Sequence, residues 1–334
     1  MRGHPLTAAR LAPALAALVL HGAAEAAAAQ QRVTADSVRE SGLHTTTFGT
    51  LNGRVTVYLP DDLAAGDTLS GTVTAEPVGR DDAARARAAS TLEGYVVAIA
   101  SQQARAGESL RFAIAGDASA ASIPLVLRDA QGREVSRVDV PVVRALAATA
   151  VAPPQPSDYA LPEIGQSGHP LQIAGRFDGD SGSTTIRIGG RDGKVLAESP
   201  RQAIVEAPAG VVGPTDVELV ERDVMVSGPL RVVRVDLSAP RTALKAGETT
   251  RLAVEVLGLE GLDAPLPLRV VNRTPAVVTL EGGDEQVLTV EPGDVSPGGS
   301  FTATRTVTGV RPGGWRLRGG ACSFEGAVWV LCDP

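Results

Sequence analysis

Cysteine, histidine and aromatic side chains are all scarce in this sequence. Its 334 residues include two Cys, four His, two Trp, three Tyr and five Phe. Aromatics make up 3% of the chain, so any core has to be built from Val, Leu, Ile and Ala. So few rings leave little to stack on bases, Lys and Arg form no cluster, and the formal net charge is −7. Nucleic-acid binding is therefore not expected, and neither is docking on an anionic membrane. No apolar run reaches the roughly 20 residues that a spanning helix needs. No cofactor is indicated. Gly189-Gly190 and Gly282-Gly283 are followed by no helix pattern whose N-terminus would attract a phosphate.

What is present starts with a leader. Arg2 and Arg10 accompany an apolar run from Leu11 to Ala24, and Ala27-Ala28-Ala29 offers a cleavage site before Gln30. These are the parts of a secretory signal over residues 1–29. At about 14 residues the run is too short for a membrane anchor, and no Cys follows it to carry a lipid. Losing Arg2, Arg10 and Glu25 makes the mature chain one charge more negative. An exported chain meets an oxidising compartment, so Cys322 and Cys332 read as a disulfide across a terminal hairpin. Closing so short a loop is worth roughly 2–3 kcal/mol in the chain-entropy model. The alternative is a metal pair, but zinc usually takes four ligands and no His lies nearby.

Gly (37) and Pro (23) punctuate many short alternating runs, which is the pattern of sandwiches or barrels. One turn recurs: Ala65-Gly66-Asp67, Ala106-Gly107-Glu108 and Ala246-Gly247-Glu248, with a cousin at Ser167-Gly168-His169. Each precedes an alternating strand. Gly takes positive φ freely, and the acid can bond nearby backbone. The copies are unevenly spaced, so this is no solenoid. One short helix is expected near residues 81–89, where Asp81-Asp82 leads an Ala/Arg run. With only Ala on its apolar face, it should lie on the surface.

The expected class is all-β: tandem immunoglobulin-like β-sandwich domains with one short helix. The expected organisation is a signal peptide (1–29), a flexible lead or edge segment (30–52), a β-sandwich (53–145) and an Ala/Pro-rich linker (146–161). A second sandwich (162–236) and a third (237–334), ending in the disulfide hairpin, follow. The linker, with Pro153-Pro154-Gln155-Pro156, suggests that the first two sandwiches are not rigidly stacked.

Residues 162–236 carry Gly168, Leu171, Ile173, Gly175 and Phe177, then Ile186, Ile188, Gly189 and Gly190, then Ile204, Pro208 and Gly210. This order resembles bacterial immunoglobulin-like modules of the IPT/TIG type. The resemblance implies a non-catalytic sandwich in an exported or surface protein. Pro214-Thr215-Asp216 departs from the pattern. The strand pattern after 237 resembles the bacterial immunoglobulin-like domains stacked in adhesins.

No catalytic residue is assigned. Gly179-Asp180-Ser181-Gly182 resembles the nucleophile segment of chymotrypsin-like proteases. That chemistry needs a His base oriented by a carboxylate, and the mature chain has only His44 and His169, single and without clustered partners. The same segment reads as an exposed turn. Asp178 and Asp180 fit the start of a calcium loop, but its twelfth position is Gly189 where a Glu is required. Asp61-Asp62 and Asp81-Asp82 read as turn and helix-start residues. Asn272-Arg273-Thr274 matches a glycosylation acceptor that a bacterial chain would leave unused. Trp315 and Trp329 read as core anchors rather than a sugar platform.

These readings point to a periplasmic or surface-exposed, non-enzymatic binding or structural module that contacts protein or polysaccharide of the envelope. It has no cofactor or metal and inserts in no membrane after signal removal. Two alternatives stand beside it. One is a polysaccharide-active enzyme or accessory module with carboxylates from distant loops. The other is a periplasmic assembly chaperone that exchanges a strand.

Overall fold

The computed structural model describes residues 33–332, apart from 41, 116–120, 144–153, 180–181, 242, 312, 314, 316, 324–325 and 328–329. At residues 40, 318, 320–323, 326–327 and 330–332 it describes the backbone alone. The signal at 1–29, the first half of the linker, Trp329 and the side chains of both cysteines therefore lie outside the described residues. Strand registers place Cys322 opposite Ala327 and Cys332 opposite Leu317.

Among the described residues the chain is all-β with one α-helix. Around the first core run β1 (Thr34–Glu40), β2 (Leu43–Thr50), β3 (Gly53–Pro60), β4 (Thr68–Pro77), α1 (Asp82–Glu93), β5 (Val96–Ile99), β6 (Gln102–Ala104), β7 (Ser109–Ala113), β8 (Ser122–Arg128) and β9 (Glu134–Pro141). Around the second run β10 (Ile164–Gln166), β11 (Pro170–Ala174), β12 (Thr184–Ile188), β13 (Arg191–Asp192), β14 (Lys194–Ser199), β15 (Gln202–Glu206), β16 (Gly213–Glu221) and β17 (Val224–Ser238). The third adds β18 (Thr249–Leu257), β19 (Leu266–Asn272), β20 (Val278–Leu280), β21 (Glu285–Val290), β22 (Ser300–Gly309), β23 (Leu317–Ser323), β24 (Gly326–Ala327) and β25 (Val330–Cys332).

Alternation builds the cores. In β3, Val55, Val57 and Leu59 point inward; in β12, Ile186 and Ile188 do; in β18, Leu252, Val254 and Val256 do. Three hydrophobic clusters result, each closed between two sheets. All four copies of the repeated turn fold alike. Gly66, Gly107, Gly168 and Gly247 take positive φ, and the residue after each Gly donates its N–H to the carbonyl three residues back. In two copies the acid completes the turn: Glu108 accepts from Arg105 N–H (2.7 Å) and Glu248 from Lys245 N–H (3.0 Å).

Several expectations are corrected. Of the two readings for 30–52, the edge segment holds for residues 34–50 and the flexible lead does not: they form the paired strands β1 and β2, with β1 at the sheet edge and Phe48 fully buried in the first core. Their Thr-rich, β-branched composition suits a strand, yet it offers too few apolar residues to announce one. The helix extends to Glu93. Asp81 caps it through Ala84 N–H (2.7 Å), and Leu92, one turn beyond Ala88, is buried in the core. It is therefore a core element rather than a surface one. The end of the linker is also packed: the Tyr159 ring meets Phe177 edge-on at 5.4 Å, and its hydroxyl donates to the Arg176 carbonyl (2.7 Å).

The largest correction concerns stacking. The first two units share a sheet. Pairing of β3 with β4 ends at Tyr58–Thr72, and β14 takes over the same edge at Ala197–Gly71 and Glu198–Ser70. Leu43, Ala197 and Ile204 form a small apolar cluster under Tyr58. Arg201 reaches across to Asp62 (2.7 Å) and Asp67 (2.6 Å), while Asp62 also accepts from Ser199 (2.9 Å) and Gln202 (2.9 Å). Gly179, at φ +75°, lies so close to unit one that a Cβ there would sit 2.0 Å from the Thr68 carbonyl oxygen. The second and third units share β17, which pairs with β16 up to Val232 and with β18 from Arg234. Arg231 caps this seam by donating to the carbonyls of Gly258, Glu260 and Gly261.

Gly179→Ala should therefore cost about 2–3 kcal/mol, from backbone strain plus collision with the first unit. Gly107→Ala is the control, since its φ of +86° is as strained but nothing lies within 4 Å of the added methyl; it should cost about 1 kcal/mol. Arg201→Ala, at a half-exposed and screened site, should cost about 1 kcal/mol. Urea denaturation checks all three, and equal losses for the two glycine variants would remove the junction contact.

Candidate functional site

The sequence candidates are scattered. Asp180 and Ser181 lie outside the described residues. Asp178 accepts from Ser183 (3.0 Å) and pairs with Arg222 (3.0 Å), so its carboxylate is engaged within the unit. His44 is buried in β2, where Nδ1 accepts from Arg39 Nε (3.3 Å). Burial and then the charge of Arg39 hold its pKa below the usual histidine value. His169 sits in the turn before β11 with Nδ1 at 2.8 Å from the Ser167 carbonyl. Among the described residues, no three His, Cys, Asp or Glu side chains are placed to hold a metal.

The other candidates turn out to be structural. Asp61 and Asp62 both accept from Gln202, so this acidic turn is part of the junction. Asp81 caps α1. The Asn272 amide is buried and donates to Val278 O (2.7 Å) and Asp284 (2.8 Å), which leaves no free amide for a glycan. Trp315 lies in the third core. Gly189 and Gly190 take positive φ in the turn between β12 and β13.

One cluster of chemical groups does come together, and no local motif announces it. Thr184 opens β12 opposite Glu221 at the end of β16. Glu198 comes from β14 in the facing sheet. The Thr184 hydroxyl lies 2.6 Å from Glu198 Oε2 and 2.5 Å from Glu221 Oε2. A hydroxyl has one hydrogen to donate. It can serve one carboxylate; the other carboxyl has to carry a proton and donate it to the threonine oxygen. Paired carboxyls of this kind share a proton because both cannot ionise cheaply so close together. Independently of that geometry, the pKa of Glu221 is raised above the usual carboxylate value. Burial raises it most, Thr184 opposes, the charge of Asp178 raises it further and Arg222 opposes.

Two carboxyls and a shared proton are the raw material of acid–base chemistry. Here they are sealed, with Glu198 0% and Glu221 1% exposed. A substrate cannot reach them without opening the sandwich, so the cluster acts as a polar tie between the two sheets of the second unit. Because Glu198 also pairs through its backbone with Ser70, the tie lies against the first unit.

No family model and no curated protein matches this chain. Among solved structures it is similar to native Escherichia coli α2-macroglobulin, at 10% identity over 90% of this chain and 23% of that one, with a TM-score of 0.25. It is similar to SGBP-B of the Bacteroides ovatus mixed-linkage glucan utilisation locus, solved with a mixed-linkage heptasaccharide, at 11% identity over 88% and 84%, TM-score 0.28. It is also similar to FdeC, an Escherichia coli adhesin, at 10% identity over 91% and 97%, TM-score 0.19. The chain thus spans less than a quarter of the macroglobulin's length. At these scores the likenesses carry no functional weight, and the sandwich architecture stands on the chain's own strand pairing.

The shared proton has a pH signature. A carboxyl whose folded pKa is raised stabilises the fold fully below the unfolded value. That contribution is lost as pH rises through the folded value. Glu221→Gln keeps a neutral hydrogen-bonding group, so its stability relative to the parent should grow as pH rises from the ordinary 4.5 toward neutrality. Urea denaturation at successive pH values reads this, and parallel curves would count against a shared proton.

Proposed function

We propose that this chain is an exported, non-enzymatic binding or structural module of the bacterial envelope or cell surface. It contacts another protein or a polysaccharide through its edge strands and inter-strand loops. The observation that carries this reading is the joining of three sandwiches through shared strand pairing, at β4–β14 and along β17. Such a body presents many loops at fixed spacing. The leader at 1–29 supports export. No helix among the described residues is long and apolar enough to cross a membrane.

The middle unit is read as an IPT/TIG-type module. Leu171, Ile173, Phe177, Ile186 and Ile188 line its core, and Gly189, Gly190 and Gly210 take the positive φ its turns require. Cys322 and Cys332 are read as a disulfide closing the C-terminal hairpin.

Protease treatment of intact cells, compared with cells whose envelope has been opened, tests the location. Digestion on intact cells places the mature chain outside, and protection until opening places it in the periplasm. A chain that stays with the cytoplasmic fraction, leader attached, would overturn the reading.

A further inference from the structure

A cleft of about 300 Å³ opens on the outer face of the small sheet β6-β5-β8-β9. It lies between the C-terminal end of α1 and the turn joining β8 to β9, and Glu93, Val96, Gln103, Arg105, Arg128 and Asp129 line it. Strand register explains the arrangement. Val97, Ala104 and Leu127 point into the core, so their neighbours Val96, Arg105 and Arg128 point out. Val96 and Arg128 are direct cross-strand partners, and Arg105 follows Ala104 on the other side of β5. Two arginines, one ending β8 and one just past β6, thus lie on either side of Val96.

Neither arginine is spent. Among the described residues Arg105 and Arg128 make no ion pair, and the Arg128 Nε is buried with no hydrogen-bond partner. A buried charged donor without an acceptor is costly unless something arrives to accept from it. The nearby acids do not serve. The Asp129 carboxylate is occupied by the Arg133 side chain (2.7 Å) and by the amides of Gln131 and Arg133. Glu93 is exposed at the helix end. With Asp129 offset by Arg133, the lining has two positive charges against one negative, a surplus of one.

We infer that this cleft binds a carboxylated sugar, such as a uronate unit of an acidic polysaccharide. A surplus of one positive charge suits a single carboxylate better than a doubly charged phosphate, which Glu93 would repel. Guanidinium groups bind carboxylates through paired N–H donors. The rest of the wall mixes polar groups, Gln103 and Glu93, with small apolar ones, Val96 and Ala130, which suits the hydroxyl-bearing edge and C–H face of a sugar ring. The volume lies at the lower end of the roughly 300–1,000 Å³ of ligand pockets, enough for a monosaccharide-sized group. The inference gives a ligand class to the binding module proposed above. In vitro binding tests the cleft alone, whereas the location experiment tests the module reading.

The test is calorimetric titration of the mature chain with oligogalacturonate, with dextran as neutral polymer and inorganic phosphate as competitor. The uronate should bind and dextran should not. Arg105→Gln, at an exposed position, and Arg128→Gln should each weaken binding about tenfold or more, the scale of a charged hydrogen bond. Arg128→Lys keeps the charge and should lose less. Circular dichroism and urea midpoints confirm that each variant folds. Absence of uronate binding, or binding unchanged in a folded Arg105→Gln, overturns the inference. Displacement by phosphate at equal concentration overturns the sugar assignment in favour of a general anion cleft.

Discussion

The structure depends on the point along β4 where one hydrogen-bonding partner gives way to another. β3 parts from β4 after Tyr58–Thr72, while Leu59 and Pro60 stay paired with β2 alone. The edge that β3 leaves would expose unpaired backbone groups, and β14 of the second unit fills it. Small residues meet there, Gly71 against Ala197, and Gly71 is also crowded from within the first unit. A Cβ on Gly71 would sit 2.5 Å from the Tyr58 carbonyl oxygen. Once that pairing is made, the rest of the junction follows at short range: Arg201 over Asp62 and Asp67, Gln202 over Asp61, and the Gly179 loop against Thr68.

The same junction explains why carboxyls are buried in the second unit. Glu198 belongs to the strand that joins the first unit, so its side chain has no route to solvent. A lone carboxylate there would be strongly disfavoured. Thr184 and Glu221 convert it into a hydrogen-bonded triad with a shared proton. This arrangement resembles a catalytic dyad in its groups and differs from one in its access. A pair of acids becomes chemically useful only where a substrate can touch it, and these two hold sheets together.

What the sequence made legible was local. The Ala-Gly-Asp/Glu turn could be read because its geometry depends on three consecutive residues, and the strands after it because alternation is a short-range pattern. The helix start was legible in Asp81, but its end was not. Leu92 lies one turn past an alanine run and looks like an isolated apolar residue until it packs. β1 and β2 were legible only as one of two alternatives, because threonine pairs well in strands without marking a core. The junction was not legible, because Asp62 and Arg201 both look like ordinary turn residues and meet only across 139 positions of chain. The arginine cleft was missed for the same reason: Arg105 follows β6, Arg128 ends β8, and the two share no motif.

The uninterrupted run of β17 has a mechanical meaning. Fifteen residues of extended chain span roughly 50 Å, tied first to β16 and then to β18. Tension applied to the third unit along this strand reaches the second unit through covalent backbone, with no slack loop to extend first. The load falls on two ladders of hydrogen bonds in shear, in which many bonds have to yield together rather than one at a time. A pull on the third unit is felt in the second as force rather than as stretch.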